Sequence, residues 1–324
     1  MQCRGVPSIN IVKGITMLAA GQMTTEELER LVRQLAAHPD IRIVRRLVSA
    51  PGRVPPPGHV VAKGAVIDTE TTGMRVERDR IIELGLVTFE FDATTGEVFR
   101  VLETFNDMED PGFPIPPEST EVHGITDQMV AGRCIDDTRV SALLDGVSLV
   151  IAHNAKFDRP FVEMRFPVFA QLPWACSLAQ VDWQNEGLGS QKLDYLAYRM
   201  GFFYDAHRAE ADCLALLEIL QYQLPQSGKR ALGAVLDRCH AREYTLWARG
   251  SRFEAKDLLK ERAYRWDAGQ KCWYKRVTEQ ALASELDWLK HAVYGGRRAA
   301  IDVDVDDAHS RFSLRKGTTE SRLL

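Results

Sequence analysis

The sequence lacks the features that would place it in the simplest protein classes. Its six cysteines, Cys3, Cys134, Cys176, Cys213, Cys239 and Cys272, are scattered over 324 residues with no C-x-x-C pair and no cysteine–histidine cluster. That spacing argues against structural zinc and against a disulfide framework. No run approaches the roughly 18 apolar residues of a membrane span, and Lys13 interrupts the one signal-like segment, residues 9–20. A cytoplasmic protein with no membrane partner is expected. Neither sign of charge dominates, since 41 Lys and Arg against 45 Asp and Glu leave a formal net charge of −4. There is no global field for a polyanion, so nucleic-acid contact would have to come from local basic patches, which an acidic metal site would mask in the total. A hydrophobic content of 45% suffices for a full-sized core and for more than one domain.

Residues 1–20 have no periodicity and read as a loose tail, with Met17 a candidate start. Thr24 and Glu27 then form a capping box ahead of Leu28, Leu31, Val32 and Leu35, the spacing of one helical face. Residues 41–47, Ile-Arg-Ile-Val-Arg-Arg-Leu, read as a strand whose Arg42, Arg45 and Arg46 form a solvated basic face. Residues 51–58, rich in proline, form a stiff linker. The chain is expected to divide at 1–58, 59–226 and 227–324.

The stretch that organises the rest is Val66-Ile67-Asp68-Thr69-Glu70-Thr71-Thr72-Gly73, an apolar strand ending in two carboxylates. Side chains alternate along a strand, so Asp68 and Glu70 share one face and Thr69 takes the other. Two acids so close either raise a pKa or hold a hard divalent cation, and the glycine lets the backbone turn sharply and approach a ligand. An isolated D-x-E is more often a solubilised strand end, so further acids must decide. Residues 81–92 and 97–106 alternate as an antiparallel hairpin. A loop rich in proline and glycine leads to His123-Gly124, then to helical segments up to Gly146. The short buried strand 148–152 ends in His153-Asn154-Ala155-Lys156-Phe157-Asp158, polar groups delivered at the mouth of a sheet, where α/β sites lie. Helices are expected to cover the remainder to Gln223. In His207-Arg208-Ala209-Glu210-Ala211-Asp212, five residues cannot put His207 and Asp212 on one helical face. If both serve one site, His207 must sit in the loop entering the helix.

In order, V-I-D-T-E-T-T-G, H-N-A-K-F-D and H-R-A-E-A-D resemble the three motifs of the DEDDh 3′-to-5′ exonucleases. That superfamily includes the proofreading epsilon subunit of bacterial DNA polymerase III and ribonuclease T-like enzymes. The resemblance covers roughly residues 60–224, and V-H-G-I-T at 122–126 is similar to a further family segment. It implies a ribonuclease H-like mixed α/β sheet flanked by helices. It also implies that Asp68, Glu70, Asp158 and Asp212 hold two Mg²⁺ or Mn²⁺ ions and that His207 is the general base. Thr71, Thr72, Gly73, His123, Asn154 and Phe157 match positions that cradle or stack on the terminal nucleotide. Arg208 stands where a sibling class carries tyrosine, and Trp174-Ala175-Cys176-Ser177 departs from an Asp-Thr pair common among relatives. The expected activity is metal-dependent removal of nucleotides from DNA 3′ ends in replication, proofreading or repair, alongside replication or repair proteins. An exoribonuclease and a non-catalytic nucleic-acid-binding protein are the alternatives. The residue types suit two-metal phosphodiester hydrolysis in their own right: carboxylates suit hard ions, and a neutral imidazole accepts a proton near neutral pH.

Beyond a connecting helix at 227–241, residues 243–277 form an aromatic and basic unit. Ten Lys or Arg against five Asp or Glu, from Arg242 to Arg276, interleave with Tyr244, Trp247, Phe253, Tyr264, Trp266, Trp273 and Tyr274. The rings either stack bases while the cations pair phosphates, or form this unit's own core under a solvated charged face. An amphipathic helix at 280–294 follows. Residues 302–307 alternate acids with valines, as at a strand edge, and the last dozen residues are expected to be mobile.

Overall fold

A computed structural model describes residues 23–48, 52–315 and 317–324. The expected loose tail and Met17 lie outside the described residues, as does Pro51. The chain separates into two compact units, Met1–Arg45 and Arg46–Leu324. In the first, Thr24 and Glu27 close the capping box on a 12-residue helix, Thr25–Ala36, and Arg45 pairs in fork geometry with Glu29 of that helix at 3.0 and 2.8 Å. The strand expected at 41–47 shrinks to Arg45–Arg46. A strand is stabilised by the ladder beside it more than by its own propensity, and residues 41–44 have none.

The second unit contains two five-stranded sheets. The first has five strands: β1 (Val61–Thr71), β2 (Ile81–Asp92), β3 (Val98–Met108), β4 (Val147–Ala152) and β5 (Trp174–Cys176), in the order β3-β2-β1-β4-β5. The β1–β2 and β2–β3 pairs are antiparallel, and β1–β4 and β4–β5 are parallel. At the β2–β3 turn the Asp92 carboxylate accepts the Thr94 and Thr95 N–H groups, and Gly96 takes a left-handed φ of 72°. Strand β1 is central and buried on both faces. Val66 packs into one core with Cys213, Leu216 and Leu220 of the helix Ala209–Gln221, whereas Ala65 and Ile67 pack into another with Phe161 and Val162 of the helix Ala155–Arg165. The fold is the expected ribonuclease H-like mixed sheet flanked by helices. Two segments expected to be helical are strands instead: Phe202–Phe203, of two residues, and Trp174–Cys176, which is β5. All three residues are fully buried, and their backbone completes the parallel ladder with residues 150–152.

The second sheet is antiparallel throughout and joins Thr318–Leu323, Ala300–Asp306, Glu243–Trp247, Cys272–Thr278 and Arg265–Asp267 in that order. Two expectations are corrected here. The acidic stretch 302–306 is an interior strand, because Ile301 and Val303 alternate into a core with Tyr244, Leu246 and Tyr264. On the opposite face Asp302 and Asp304 accept from Arg249 and Trp247. The last residues likewise form a strand, since the edge of 300–306 gives their backbone a ladder.

Gly85 of β2 shows how tightly one helix seats on the first sheet. A Cβ there would fall inside van der Waals contact of the Ala209 carbonyl. Gly85→Ala should therefore destabilise the protein by about 1–3 kcal/mol in urea unfolding. A change within about 0.5 kcal/mol, the range of ordinary surface substitutions, would show that the helix start does not rest on β2.

Candidate active site

Alternation along β1 sends Asp68 and Glu70 toward the helix Ala209–Gln221, whose first turn carries Asp212. One carboxylate oxygen from each of the three lies within 4.8 Å of the other two. Asp158, in the first turn of the helix Ala155–Arg165, comes from the opposite face of the sheet. It is almost fully buried, and it accepts the Thr69 N–H at 3.2 Å and the Thr69 hydroxyl at 2.9 Å. Thr69, the residue alternation turns away from Asp68 and Glu70, is thus what ties Asp158 to the strand end. Two helix N-termini, where backbone N–H groups favour negative charge, deliver Asp158 and Asp212. His207 precedes the second helix in an exposed, left-handed turn with φ 64°. It sits in the entry loop, as the five-residue spacing requires of a shared site, within electrostatic reach of both Asp212 and His123.

Crowding acids out of water has a direct electrostatic result. Burial first, then Asp158, Asp212, Glu70 and Glu83, push the Asp68 carboxyl well above its ordinary range. Burial, with Asp212, Glu83 and Asp158, pushes Glu70 up to about 8. Asp158 rises to about 7, mainly through burial, although the Thr69 hydrogen bonds oppose it. Asp212 is raised by burial and partly relieved by the Tyr204 hydroxyl, which donates to it at 2.9 Å, and by the Arg208 N–H at 3.1 Å. Glu83, facing Glu70 across the β1–β2 ladder, behaves differently. Burial pushes it up, but Arg208, Asn106 and the Ala209 N–H outweigh that and hold it below the usual carboxylate range.

The six residues matched to nucleotide-cradling positions line one open cleft of about 830 Å³, together with Thr69 and Glu70. Not all present free groups to it. The Thr71 hydroxyl donates to the Gly73 carbonyl at 2.6 Å, and the Thr72 hydroxyl accepts the Arg80 N–H at 3.0 Å, so both threonines brace the wall. The close approach at Gly73 is to the Asp79 carboxylate, which a Cβ would strike. His123 accepts the Ile125 N–H at Nδ1, while its buried Nε2 has no partner. Burial holds its pKa down, against the Thr71 backbone and Glu83, which raise it. Phe157 is half-buried, its ring 5.1 Å from that of Phe161. Asn154 takes a left-handed φ of 86° at the start of its helix. His153 is structural: its two ring nitrogens bond the Ser177 hydroxyl and the Gln191 carbonyl.

Four further residues at the site, Glu83, Arg208, Tyr204 and Thr69, are given no site role by the sequence. Only Glu83 leaves a signal, as an acid interrupting the apolar run of β2. Tyr204 is eight positions from the carboxylate it bonds and follows no recognisable spacing.

Residues 65–220, which hold all four acids and His207, match the exonuclease family RNase_T. Over 173 residues, half of the chain, the sequence is 31% identical to the DNA polymerase III subunit epsilon of Treponema pallidum (strain Nichols) and covers 77% of that protein. The chain belongs to this exonuclease family. It is accordingly a nuclease, a hydrolase of the polymerase III epsilon-like kind. A second relative, the PolC-type DNA polymerase III of Clostridium perfringens (strain 13 / Type A), is 32% identical over 169 residues, 48% of this chain, but only 11% of that protein is covered. A solved structure of exonuclease X in complex with 5′ overhanging duplex DNA aligns with 52% of this chain and 98% of its own, at 22% identity and a TM-score of 0.37.

The raised acids make stability depend on pH in a definite direction. Unfolded carboxyls titrate near pH 4, whereas folded Asp158 and Glu70 titrate at about 7 and about 8. Between these limits the unfolded chain binds fewer protons, so stability falls as pH rises from about 4 to about 8. In chelator, the melting temperature should be lower at pH 8 than at pH 5, and Glu70→Gln should flatten that slope. Calorimetry showing an unchanged slope in Glu70→Gln would refute the crowding.

Proposed function

We propose that the chain is a metal-dependent 3′-to-5′ exonuclease that removes nucleotides from DNA 3′ ends, in the cytoplasm, during replication, proofreading or repair. One observation carries the reading: the carboxylate oxygens of Asp68, Glu70 and Asp212 converge at the end of β1, and Glu70 of that cluster lines the open cleft. The donor set fits hard divalent cations, being all carboxylate oxygen and destabilised by its own repulsion. Asp68, Glu70, Asp158 and Asp212 would hold two ions, Mg²⁺ or Mn²⁺. When bound, such ions supply water activation and charge neutralisation at a scissile phosphate.

The chain's own residues do the rest. His207, on its exposed turn, accepts the proton of the attacking water. Phe157 stacks on the terminal base, Asn154 and the His123 ring hydrogen-bond the terminal nucleotide, and Thr71, Thr72 and Gly73 form the wall against it. A paired end must unstack and unpair to enter, at a cost of a few kcal/mol, so single-stranded and frayed ends are cut faster than blunt duplex. The printed name of the Treponema relative, a DNA polymerase III subunit, supports DNA as the polymer and replication proteins as partners. Residues 59–226 then form the exonuclease module, with 1–58 and 227–324 accessory to it.

The test uses 5′-labelled DNA and RNA of one sequence, single-stranded and duplex, under one metal and salt condition. Shortening ladders from the 3′ end should appear only with Mg²⁺ or Mn²⁺ and fastest on single-stranded DNA. Asp68→Ala should abolish them in a protein that still folds. Faster RNA cleavage would overturn the DNA assignment, and full turnover in Asp68→Ala would overturn the metal site.

If His207 is the base, His207→Ala should lower the rate by about 10²–10⁴-fold and remove the rise of rate with pH, while metal affinity by titration calorimetry persists. Loss of metal binding in that variant would make His207 a ligand.

A further inference from the structure

The second sheet carries a surface groove that its own core does not need. It lies between the loop 248–253 and the hairpin of Arg265–Asp267 and Cys272–Thr278, and encloses about 480 Å³. Trp266 and Trp273 are directly paired across the hairpin, their rings edge to face at 5.6 Å. Trp273 leans on the core from one side, but Trp266 is 51% exposed and Phe253 is 76% exposed. The core of this sheet closes around Tyr244, Leu246, Leu259 and Tyr264 without either of them. Large exposed rings clustered on a surface are informative where single ones are not, and here they share a groove with cations that no carboxylate pairs. Lys256 sits with its ammonium 4.3 Å from the centre of the Phe253 ring. Among the described residues, no carboxylate forms an ion pair with Arg252, Lys256 or Lys271, whereas Arg249 at the same groove is bound to Asp302 and Gln270. Lys271 stands at the hairpin tip in a left-handed turn, φ 48°, in a loop fixed by the Gln270 N–H bonding the Asp267 carboxylate at 2.7 Å.

We propose that this groove is a second nucleic-acid site, in which bases of a single strand stack on Trp266 and Phe253 while Arg252, Lys256 and Lys271 pair its phosphates. Charge complementarity selects the occupant. Cations without carboxylate partners beside exposed flat rings match the alternation of phosphate and base in one strand, and stacking is tolerant of sequence. An acidic peptide would satisfy the cations and leave the rings without partners. The proposal rests on the nuclease reading only in taking the strand to be the polymer cut at the cleft. The groove then supplies affinity for long substrates and no chemistry.

The test is fluorescence anisotropy of 5′-fluorescein-labelled (dT)20 with the full chain in chelator, where no cleavage intrudes. Phe253→Ala combined with Trp266→Ala should weaken binding about 10-fold or more. Arg252→Glu with Lys271→Glu should also weaken it and lower the slope of log affinity against log salt by about one unit. Phe253→Ala alone, at a surface position, should act in the same direction with no change in melting temperature. In parallel, hydrolysis of the p-nitrophenyl ester of thymidine 5′-phosphate with Mn²⁺ reads the acidic cluster alone and should be equal in all variants. Unchanged affinity and salt slope in folded variants would overturn the proposal, as would displacement of (dT)20 by polyglutamate as readily as by unlabelled (dT)20. A wild-type chain that binds (dT)20 without hydrolysing the ester would sink the nuclease reading and leave the groove standing.

Discussion

Repulsion among buried carboxylates is the constraint that the first sheet is arranged to contain. Asp68, Glu70, Asp158 and Asp212 meet where β1 ends; burial disfavours the ionised form of each, and neighbouring acids add to that for Asp68, Glu70 and Asp158. The surrounding structure holds them there. Two helix starts bring Asp158 and Asp212, Thr69 fixes one, and Tyr204 with the Arg208 N–H fixes the other. Arg208 also neutralises Glu83, so a fifth acid directly opposite Glu70 keeps its charge as an ion pair. That pair connects β2 to the residue next to His207, which couples the position of the histidine loop to the sheet.

Much of this arrangement can be read from the chain because it follows from period and spacing. Alternation in residues 66–70 places Asp68 and Glu70 together, and the five-residue gap puts His207 outside the helix that carries Asp212. Strand β5 cannot be read that way: three residues, Trp174–Cys176, are too few to show a period, and only the neighbouring ladder makes them a strand. The same holds for residues 318–323, whose polar sequence becomes a strand because an interior neighbour offers its edge. Residues 41–44 fail in the opposite sense, having strand-like composition and no ladder. Hydrogen bonds between residues distant in sequence, such as Tyr204 to Asp212 or Thr69 to Asp158, leave no trace in any window of sequence.

The aromatic unit illustrates why composition leaves function open. Its rings divide between two roles: Tyr244 and Tyr264 are buried core, Trp266 and Phe253 face water, and Trp273 does both. A count of aromatic and basic residues is identical for either role. Register decides, since Trp266 lies on the edge strand of a hairpin whose partner strand alone has a neighbour on its other side.

Arg159 has a consequence for how the chain can be divided. Its guanidinium is fully buried over the Trp174 ring, pairs with Glu163, and donates to the Ala308, His309 and Arg311 carbonyls. The Ala308 carbonyl also accepts the Trp174 N–H at 2.7 Å, so the loop joining strands Ala300–Asp306 and Thr318–Leu323 of the second sheet covers the outer edge of β5. Cutting the chain ahead of that sheet would bare a strand edge and strand a cation in an apolar pocket with most of its acceptors gone. Two sheets with separate cores therefore fall within one compact unit, because a loop between two strands of one supplies the lock on the other.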